Sequence, residues 1–299
     1  MSTAVGTVWA MVTLNGTNYR LCLLDTNALS ELVKRDQVLR HFLTWSIDSK
    51  PAFVPCFSLF TVLELRRSPD VYRHFIELFR TIPCLVLKSH EQLLEEETSC
   101  YPDPSCIDPS LLGFSPLGGE GMDLERVLSR AEEDEVFEAQ ERHWNASQDG
   151  IVEGVTSLVA NFPPEAETYS RSEIRAFVEI SSFSQLAMRQ RSFAEDVVGN
   201  NEAVEMAAFP SLKATTYTVW HKFYADARRK PSRSDAFDIV ISAATPYVEA
   251  IVTENHQAEA LRKTKRLDAF IKDLIILTLR DLRNSAPVAA LAPLRAAKG

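Results

Sequence analysis

The chain has 299 residues and a formal net charge of −9, with 45% hydrophobic and 24% charged residues, so it is long enough to bury the core of one or two domains. Charges and proline interrupt its most apolar stretches before they reach the ~20 residues of a membrane span, and no basic region precedes an apolar run at the N-terminus as in a secretory signal. The five cysteines, an odd number, predict reduced thiols in a cytoplasmic protein, neither a disulfide framework nor a zinc cluster.

The first predicted elements are a β-hairpin and the βα units that follow it. Asn15-Gly16 separates apolar runs at 8–14 and 18–24, and this dipeptide between two such runs is typical of a tight hairpin turn. Further strands are predicted over 51–57 and 83–89, and helices over 26–35, 58–66 and 70–80. Because strands that alternate with helices form βαβ units, the pattern predicts an α/β fold with a parallel sheet.

The middle of the chain differs from both ends in charge. Residues 91–210 carry 7 basic against 25 acidic residues, whereas 1–90 carry 10 against 7 and 211–299 carry 15 against 9. Proline and glycine predict an irregular loop over 98–122. The helices predicted after that loop, with no strand among them, are 123–145, 150–160 and 170–198. This acidic, mostly helical block is predicted to be an insertion.

The alternation of strands and helices returns near residue 211. The elements predicted there are helices over 212–229, 236–246 and 256–271 and strands over 249–253 and 273–279. The predicted organisation is therefore one domain in two halves, 1–90 and 211–283, with the insertion 91–210 between them. Residues 284–299, rich in alanine and proline, are predicted to be a disordered tail.

Four acidic residues stand where a packed core would not place a charge. Asp25 and Glu254 each follow a predicted strand, and ligands of open α/β sheets bind at the carboxyl ends of the strands. Glu64 and Asp238 lie in apolar helical runs, where a carboxylate is costly unless it is paired or binds a metal. Each acid alone is explained by a helix cap or a surface position. Together they predict an oxygen-ligand site for Mg²⁺ or Mn²⁺.

Three segments, taken in their order along the chain, resemble the PIN-domain nuclease family. They are LLDTNALSEL at 23–32, VPCFSLFTVLEL at 54–65 and SDAFDIVISAATPYVEAIVTEN at 234–255. The resemblance covers 18–90 and 211–280 and does not extend to the acidic block. It implies a PIN-like parallel β-sheet flanked by helices, with the acidic block as an insertion.

The resemblance also implies which acids bind the metal and carry catalysis. These residues are Asp25, Glu64, Asp238 and Glu254. The last position departs from the family pattern, because PYVEAIVTE places Glu249 and Glu254 where one branch has aspartates, and other branches have the acid where this chain has Asn255. The fourth ligand is therefore Glu254 or, as the alternative, Glu249.

By resemblance, the expected activity is hydrolysis of phosphodiester bonds with one or two Mg²⁺ or Mn²⁺ ions, leaving a 5′-phosphate and a 3′-hydroxyl. RNA is favoured over DNA as the substrate, in a toxin-like or regulatory endoribonuclease. Two alternatives stay open: a DNA nuclease with the same acidic site, and a scaffold whose site has decayed. The sequence shows no Ser-His-Asp or Cys-His arrangement that would indicate a protein nucleophile instead.

Further residues are predicted to support the site. Asn27, Thr253, Asp235 and Glu249 are expected to orient the ligands, although Asp235 is more simply a helix cap. The residues expected to contact the nucleic-acid backbone are Arg66, Arg67, Arg228, Arg229, Lys230 and Arg233. Such contacts hold phosphates without reading sequence.

The role of the acidic block 91–210 has two interpretations. Its charge could cover a basic groove and exclude nucleic acid. The alternative, which we favour slightly on the sequence alone, is an interface for a homo-oligomer or a protein partner. Neither interpretation involves a membrane.

Overall fold

The computed structural model describes residues 11–116, 123–161, 163, 169–200, 203–225 and 230–284. The start of the first predicted strand, Arg228, Arg229 and the predicted disordered tail beyond Asn284 lie outside the described residues. Of the helices in the described part of the chain, none is long and apolar enough to cross a membrane.

The described elements form one sheet with helices packed around it. The strands are β1 (Val12–Leu14), β2 (Thr17–Leu24), β3 (Phe53–Ser58), β4 (Cys84–Leu87), β5 (Ser110–Phe114), β6 (Ala250–Thr253) and β7 (Ile275–Thr278). The helices are α1 (Thr26–Lys34), α2 (Asp36–Asp48), α3 (Leu59–Arg66), α4 (Pro69–Phe79), α5 (His90–Cys100), α6 (Leu124–Glu133), α7 (Val136–Asn161), α8 (Arg171–Arg189), α9 (Arg191–Gly199), α10 (Pro210–Val219), α11 (Arg233–Ser242), α12 (Asn255–Leu267) and α13 (Leu279–Arg283).

The sheet has the order β5-β4-β3-β2-β6-β7, and the predicted α/β class is confirmed. Strands β2, β3, β4, β6 and β7 run parallel, while β1 pairs antiparallel with β2. From β2 the chain builds the sheet in one direction through β3 and β4 and later in the other through β6 and β7. The carboxyl end of β2 is therefore a topological switch point, where open α/β sheets bind ligands.

The predicted hairpin is confirmed at its turn. Asn15 and Gly16 both have positive φ, 49° and 77°, as a two-residue type I′ turn requires. Asparagine and glycine adopt this conformation at lower cost than other residues, so the turn is specified locally. It fixes the register of β1 against β2, with Leu14 opposite Thr17.

The acidic block contains a strand, so the prediction of a strand-free block with a loop over 98–122 was wrong. Strand β5 pairs antiparallel with β4 at the edge of the sheet and buries Phe114 in the main core. Backbone pairing along an open edge satisfies groups that would otherwise need water. The helices also differ from the prediction, because α7 is continuous over 150–160 and the break falls at Glu135, which has φ 53°.

Two of the cysteines are oxidised, and the prediction of five reduced thiols was wrong for them. A short 3₁₀ turn after α5 folds Cys106 back toward Cys100, and the two form a disulfide with 6.2 Å between their Cα atoms, an ordinary separation for a bridge. Cys22, Cys56 and Cys84 are buried free thiols on the central strands.

The acidic block also contributes to the main core through α7. Trp144 is almost fully buried, stacks on Phe60 of α3 with 4.2 Å between ring centroids, and meets Phe237 of α11 at 4.9 Å. Phe137 is buried in the same cluster. Because α3 carries Glu64 and α11 carries Asp238, α7 packs against the two helices that present these acids.

Helix α10 and the turn that continues it, which overlap the helix predicted over 212–229, are buried on all sides. Every residue of α10 is buried, and the helix continues as one π-helical turn, Trp220–Tyr224. Short π-helical segments are uncommon and frequently lie at functional sites. Lys222 is in the middle of this turn.

Candidate active site

Asp25 links the ends of two neighbouring strands. It follows β2 and caps α1, where its Oδ1 accepts a hydrogen bond from the Ala28 backbone N–H at 2.6 Å. Its Oδ2 accepts hydrogen bonds from the hydroxyl of Thr253 and, at 3.3 Å, from the backbone N–H of Glu254. The buried carboxylate of Asp25 thus lies at the switch point of the sheet, where α1 and the end of β6 donate its hydrogen bonds.

The environment of Asp25 makes its negative charge costly. Burial raises the pKa of Asp25 to about 6, against the lowering effect of the hydrogen bonds from Thr253 and the Ala28 N–H. The nearby carboxylate of Asp238 also raises this pKa. A cation at this position would favour the ionised form, because opposite charges lower the pKa of an acid.

Glu64 approaches the same region from α3. That helix begins after β3 because the Ser58 hydroxyl, at the N-cap, accepts a hydrogen bond from the Thr61 N–H at 3.2 Å. Burial raises the pKa of the Glu64 carboxyl, and Asp238 raises it further. Since Asp238 acts on the pKa of both Asp25 and Glu64, these three carboxylates are electrostatic neighbours.

Two other groups moderate the charge of Glu64. The buried hydroxyl of Thr26 makes no hydrogen bond of standard geometry within the described residues, but it lies near Glu64 and lowers the pKa of that carboxyl. The guanidinium of Arg67 also lowers this pKa. Arg67 is therefore close enough to Glu64 for its charge to act on an anion bound beside that carboxylate.

Asp238 is paired with a buried lysine that the sequence reasoning missed. The Nζ of Lys222 lies 2.5 Å from Asp238 Oδ2 and 3.1 Å from Asp235 Oδ1. The lysine side chain is 0% exposed, so its charge depends on these two partners. The signal in the sequence was a lysine inside WHKFY, surrounded by aromatic residues. Lys222 holds one oxygen of Asp238, which leaves Oδ1 for other contacts.

Asp235 caps α11, as its sequence position predicts. Its Oδ2 accepts hydrogen bonds from the Ser232 backbone N–H at 3.0 Å and from the Ser232 hydroxyl at 2.7 Å, which completes a capping box. Its Oδ1 accepts from Lys222. Asp235 thus acts on the site through the lysine that it shares with Asp238.

Glu254 lies at the end of β6, beside α1. It is the residue before α12, and its Oε2 accepts a hydrogen bond from Asn27 Nδ2 at 3.3 Å. Asn27 is in the first turn of α1, two residues after Asp25. Asn27 and Thr253 therefore contact the carboxylates at positions 254 and 25, respectively.

Glu249 lies at the amino end of β6, opposite to the end where Glu254 lies. It is therefore neither an alternative fourth ligand nor a residue that orients one. It precedes β6, and its Oε2 accepts a hydrogen bond from the Leu21 backbone N–H at 2.7 Å. At ~3.3 Å per residue, the strand separates positions 249 and 254 by roughly 16 Å. Burial raises the pKa of Glu249 to about 7. The predicted strand 249–253 already separated the two glutamates, and Glu249 stayed an alternative only because the family pattern has acids at both positions.

The predicted backbone-contacting residues that the structure describes are mostly paired with acids of the 91–210 block. Arg66 Nε lies 3.4 Å from Glu132 Oε1, and Arg67 Nη2 lies 3.7 Å from Glu141 Oε1. Arg233 makes two contacts of 2.8 Å with Asp149. Lys230 is exposed before α11.

The acids fit a hard cation in donor chemistry but do not form a closed cage. Their oxygens are the ligands that Mg²⁺ and Mn²⁺ prefer. Within the described residues, however, no three His, Cys, Asp or Glu side chains are grouped closely enough to hold a metal ion. Asp25, Glu64, Asp238 and Glu254 would therefore need to adjust their side chains to bind one.

Comparison with known proteins does not assign the chain to a family. No protein-family model matches it, and no curated protein or solved structure matches it. The similarity to PIN-domain nucleases rests on the three quoted segments and remains a prediction. What the site can do follows from its geometry and chemistry.

Proposed function

We propose that the chain is a Mg²⁺- or Mn²⁺-dependent nuclease that hydrolyses phosphodiester bonds, with RNA as its substrate. One observation carries the proposal. Asp25 and Glu254 follow neighbouring strands at the switch point of the sheet, and Asp238 is near enough to raise the pKa of both Asp25 and Glu64. Acids gathered at such a point repel one another, and a divalent cation relieves that repulsion.

Three of the four acids have a defined support within the chain. The Ala28 N–H and the Thr253 hydroxyl fix Asp25, while Asn27 orients Glu254 and Lys222 holds one oxygen of Asp238. When bound, a divalent ion promotes ionisation of water and stabilises charge on phosphate oxygens. The proposed role of the four acids is to hold that ion at the edge of the sheet.

The nucleic acid would lie across the arginines beside this edge. Arg66 and Arg67 follow Glu64 on α3 and its cap, and Arg233 begins α11. Guanidinium groups suit phosphates because they donate two parallel hydrogen bonds. The preference for RNA and the toxin-like or regulatory role come from the resemblance to PIN-domain nucleases.

A scaffold without catalysis is the second candidate. It is favoured by the Lys222 ammonium, which already pairs with both Asp235 and Asp238, and by the lack of a metal-holding group among the residues that the structure describes. In a scaffold the lysine would replace the cation as a purely structural partner. Such a protein would bind nucleic acid without cleaving it.

Cleavage of end-labelled oligonucleotides tests the proposal. The purified chain is incubated with matched single-stranded RNA and DNA, with Mg²⁺, with Mn²⁺ and with EDTA, beside Asp25→Asn and Asp238→Asn. Glu249→Gln is the matched control, because it makes the same kind of change at the amino end of β6, away from the acids of the site. Metal-dependent cleavage of RNA that both site variants lose and the control keeps is expected. Cleavage of DNA alone would favour the DNA nuclease, and no cleavage of either would favour the scaffold.

A further inference from the structure

The arginines beside the candidate site are held by acids of α6 and α7. We propose that these acids occupy the surface that binds a nucleic-acid backbone, so that the chain competes with its own ligand. The inference rests on the proposed function, because it takes Arg66, Arg67 and Arg233 as backbone contacts. It assigns a role to the acidic block, which the proposed reaction does not use.

One of the three ion pairs has the two-donor geometry of a phosphate contact. Arg233 offers Nε and Nη2 to the two carboxylate oxygens of Asp149, each at 2.8 Å, and a phosphate takes the same two-donor arrangement. The other pairs are longer, 3.4 Å for Arg66–Glu132 and 3.7 Å for Arg67–Glu141. Exchanging a carboxylate for a phosphate leaves each guanidinium satisfied.

Two of the three pairs are also exposed enough to exchange, whereas Arg66 is 23% exposed and lies over the Phe137 ring. Arg67 and Glu141 are 49% and 42% exposed, and Arg233 and Asp149 are 64% and 50% exposed. Ion pairs with this exposure contribute little to stability. A polyanion can therefore displace them one at a time, without a large barrier at any single contact.

Helix α7 itself does not need to leave. Trp144, between Glu141 and Asp149, is buried against Phe60 and Phe237, which anchors α7 to α3 and α11. Glu141 and Asp149 are eight residues apart along α7, ~12 Å at the rise of an α-helix, or roughly three to four phosphates of a duplex strand. Competition through side-chain exchange on a fixed helix is the mechanism that this packing favours.

The test neutralises the paired acids in the full chain. A triple variant, Glu132→Gln with Glu141→Gln and Asp149→Asn, is compared with a matched control, Glu133→Gln with Glu138→Gln and Glu153→Gln. The control residues are exposed on the same two helices, and the change in net charge is identical. Binding of a fluorescein-labelled single-stranded RNA is measured by anisotropy in EDTA, so that cleavage does not interfere.

We expect the triple variant to bind about tenfold more tightly than the wild type, the effect of three ion pairs of ordinary strength, and the control to change less than twofold. Adding Arg66→Gln, Arg67→Gln and Arg233→Gln to the triple variant should remove the gain. Should the triple variant fold poorly, Asp149→Asn alone is expected to give a smaller gain in the same direction.

Two results would overturn the inference: equal affinities in the triple and control variants, or a lower melting temperature in the triple variant with unchanged RNA affinity. Cleavage with Mg²⁺ separates this inference from the proposed function. Tighter binding without cleavage by any form of the chain would support the competition and refute the nuclease. Cleavage by the wild type, without tighter RNA binding by the triple variant, would support the nuclease and refute the competition.

Discussion

Lys222 and Asp238 form a buried ion pair, with 2.5 Å between Nζ and Oδ2. The same ammonium lies 3.1 Å from Asp235, so a π-helical turn and the first turns of α11 share one positive charge. This pairing fixes the position of Asp238, whose charge also acts on Asp25 and Glu64. Lys222 thus sets the position of Asp238 and the net charge of the cluster that Asp238 forms with Asp25 and Glu64.

Removing the charge of Lys222 should destabilise the fold. Lys222→Met keeps an unbranched side chain but leaves Asp235, which is also buried, without its cation. Breaking a buried pair by removing one partner typically costs ~3–5 kcal/mol, and we expect a loss in this range in urea unfolding. Lys34→Met, at an exposed position at the end of α1, is the control and should change stability by less than about 0.5 kcal/mol. Equal stability of the two variants would show that the buried pair contributes nothing.

The raised pKa of Asp25 predicts a specific dependence of stability on pH. Its pKa rises from 3.8, the ordinary value of an aspartate, to about 6 in the folded chain, so between these values the native state binds more protons than the unfolded state. The free energy of unfolding should therefore fall as pH rises from about 4 to about 6, by an amount on the order of 2 kcal/mol from this residue. Asp25→Asn lacks this titration.

The measurement is urea unfolding of wild type and Asp25→Asn from pH 4 to pH 8 without divalent ions. The stability of the wild type should decrease relative to that of the variant up to about pH 6 and then run parallel to it. Other raised carboxyls, such as Glu249, are present in both proteins and cancel. Parallel curves over the whole range would contradict the buried, costly charge at Asp25.

The packing of Trp144 predicts that the acidic block cannot be removed without loss of the core. Trp144→Ala should lower the free energy of unfolding by ~3–5 kcal/mol and reduce cleavage, because α3 and α11 lose the side chain that packs between them. Val136→Ala, at an exposed position at the start of α7, should cost under about 1 kcal/mol. A Trp144→Ala protein with native stability would indicate that residues 91–210 form a separable module.

The arginines of α3 should contribute to the salt dependence of binding. Arg66→Gln with Arg67→Gln is expected to weaken RNA binding and to flatten the plot of log affinity against log salt by about 1 to 1.5, the value for two single-strand phosphate contacts. Anisotropy titrations at several salt concentrations measure this slope. An unchanged slope would remove these two residues from the binding surface.

Local signals in the sequence predicted much of the fold. Asn15-Gly16 specified the hairpin turn, Ser58 marked the start of α3, and Asp235 takes part in the capping box of α11, although that helix begins at Arg233 and not at the predicted residue 236. These features depend on backbone conformation and hydrogen bonds within three residues, so they can be read without the tertiary structure. The central strands were likewise predicted from a local signal, their apolar runs.

The features that the sequence did not predict depend on contacts between distant segments. Lys222 pairs with Asp238 only because α11 packs against the helix that precedes it. Strand β5 was missed because its apolar residues lie among the prolines and glycines that predicted a loop over 98–122. Acidic composition likewise concealed the buried face of α7, which Trp144 anchors.

Titration with Mn²⁺ in the absence of substrate tests the central claim most directly. Calorimetry should show saturable binding to the wild type, and Asp25→Asn and Asp238→Asn should weaken this binding at least about tenfold, a loss of ~1.4 kcal/mol. Glu249→Gln should bind like the wild type. Absence of Mn²⁺ binding, or equal binding by the wild type and Asp25→Asn, would contradict a cation site formed by these acids.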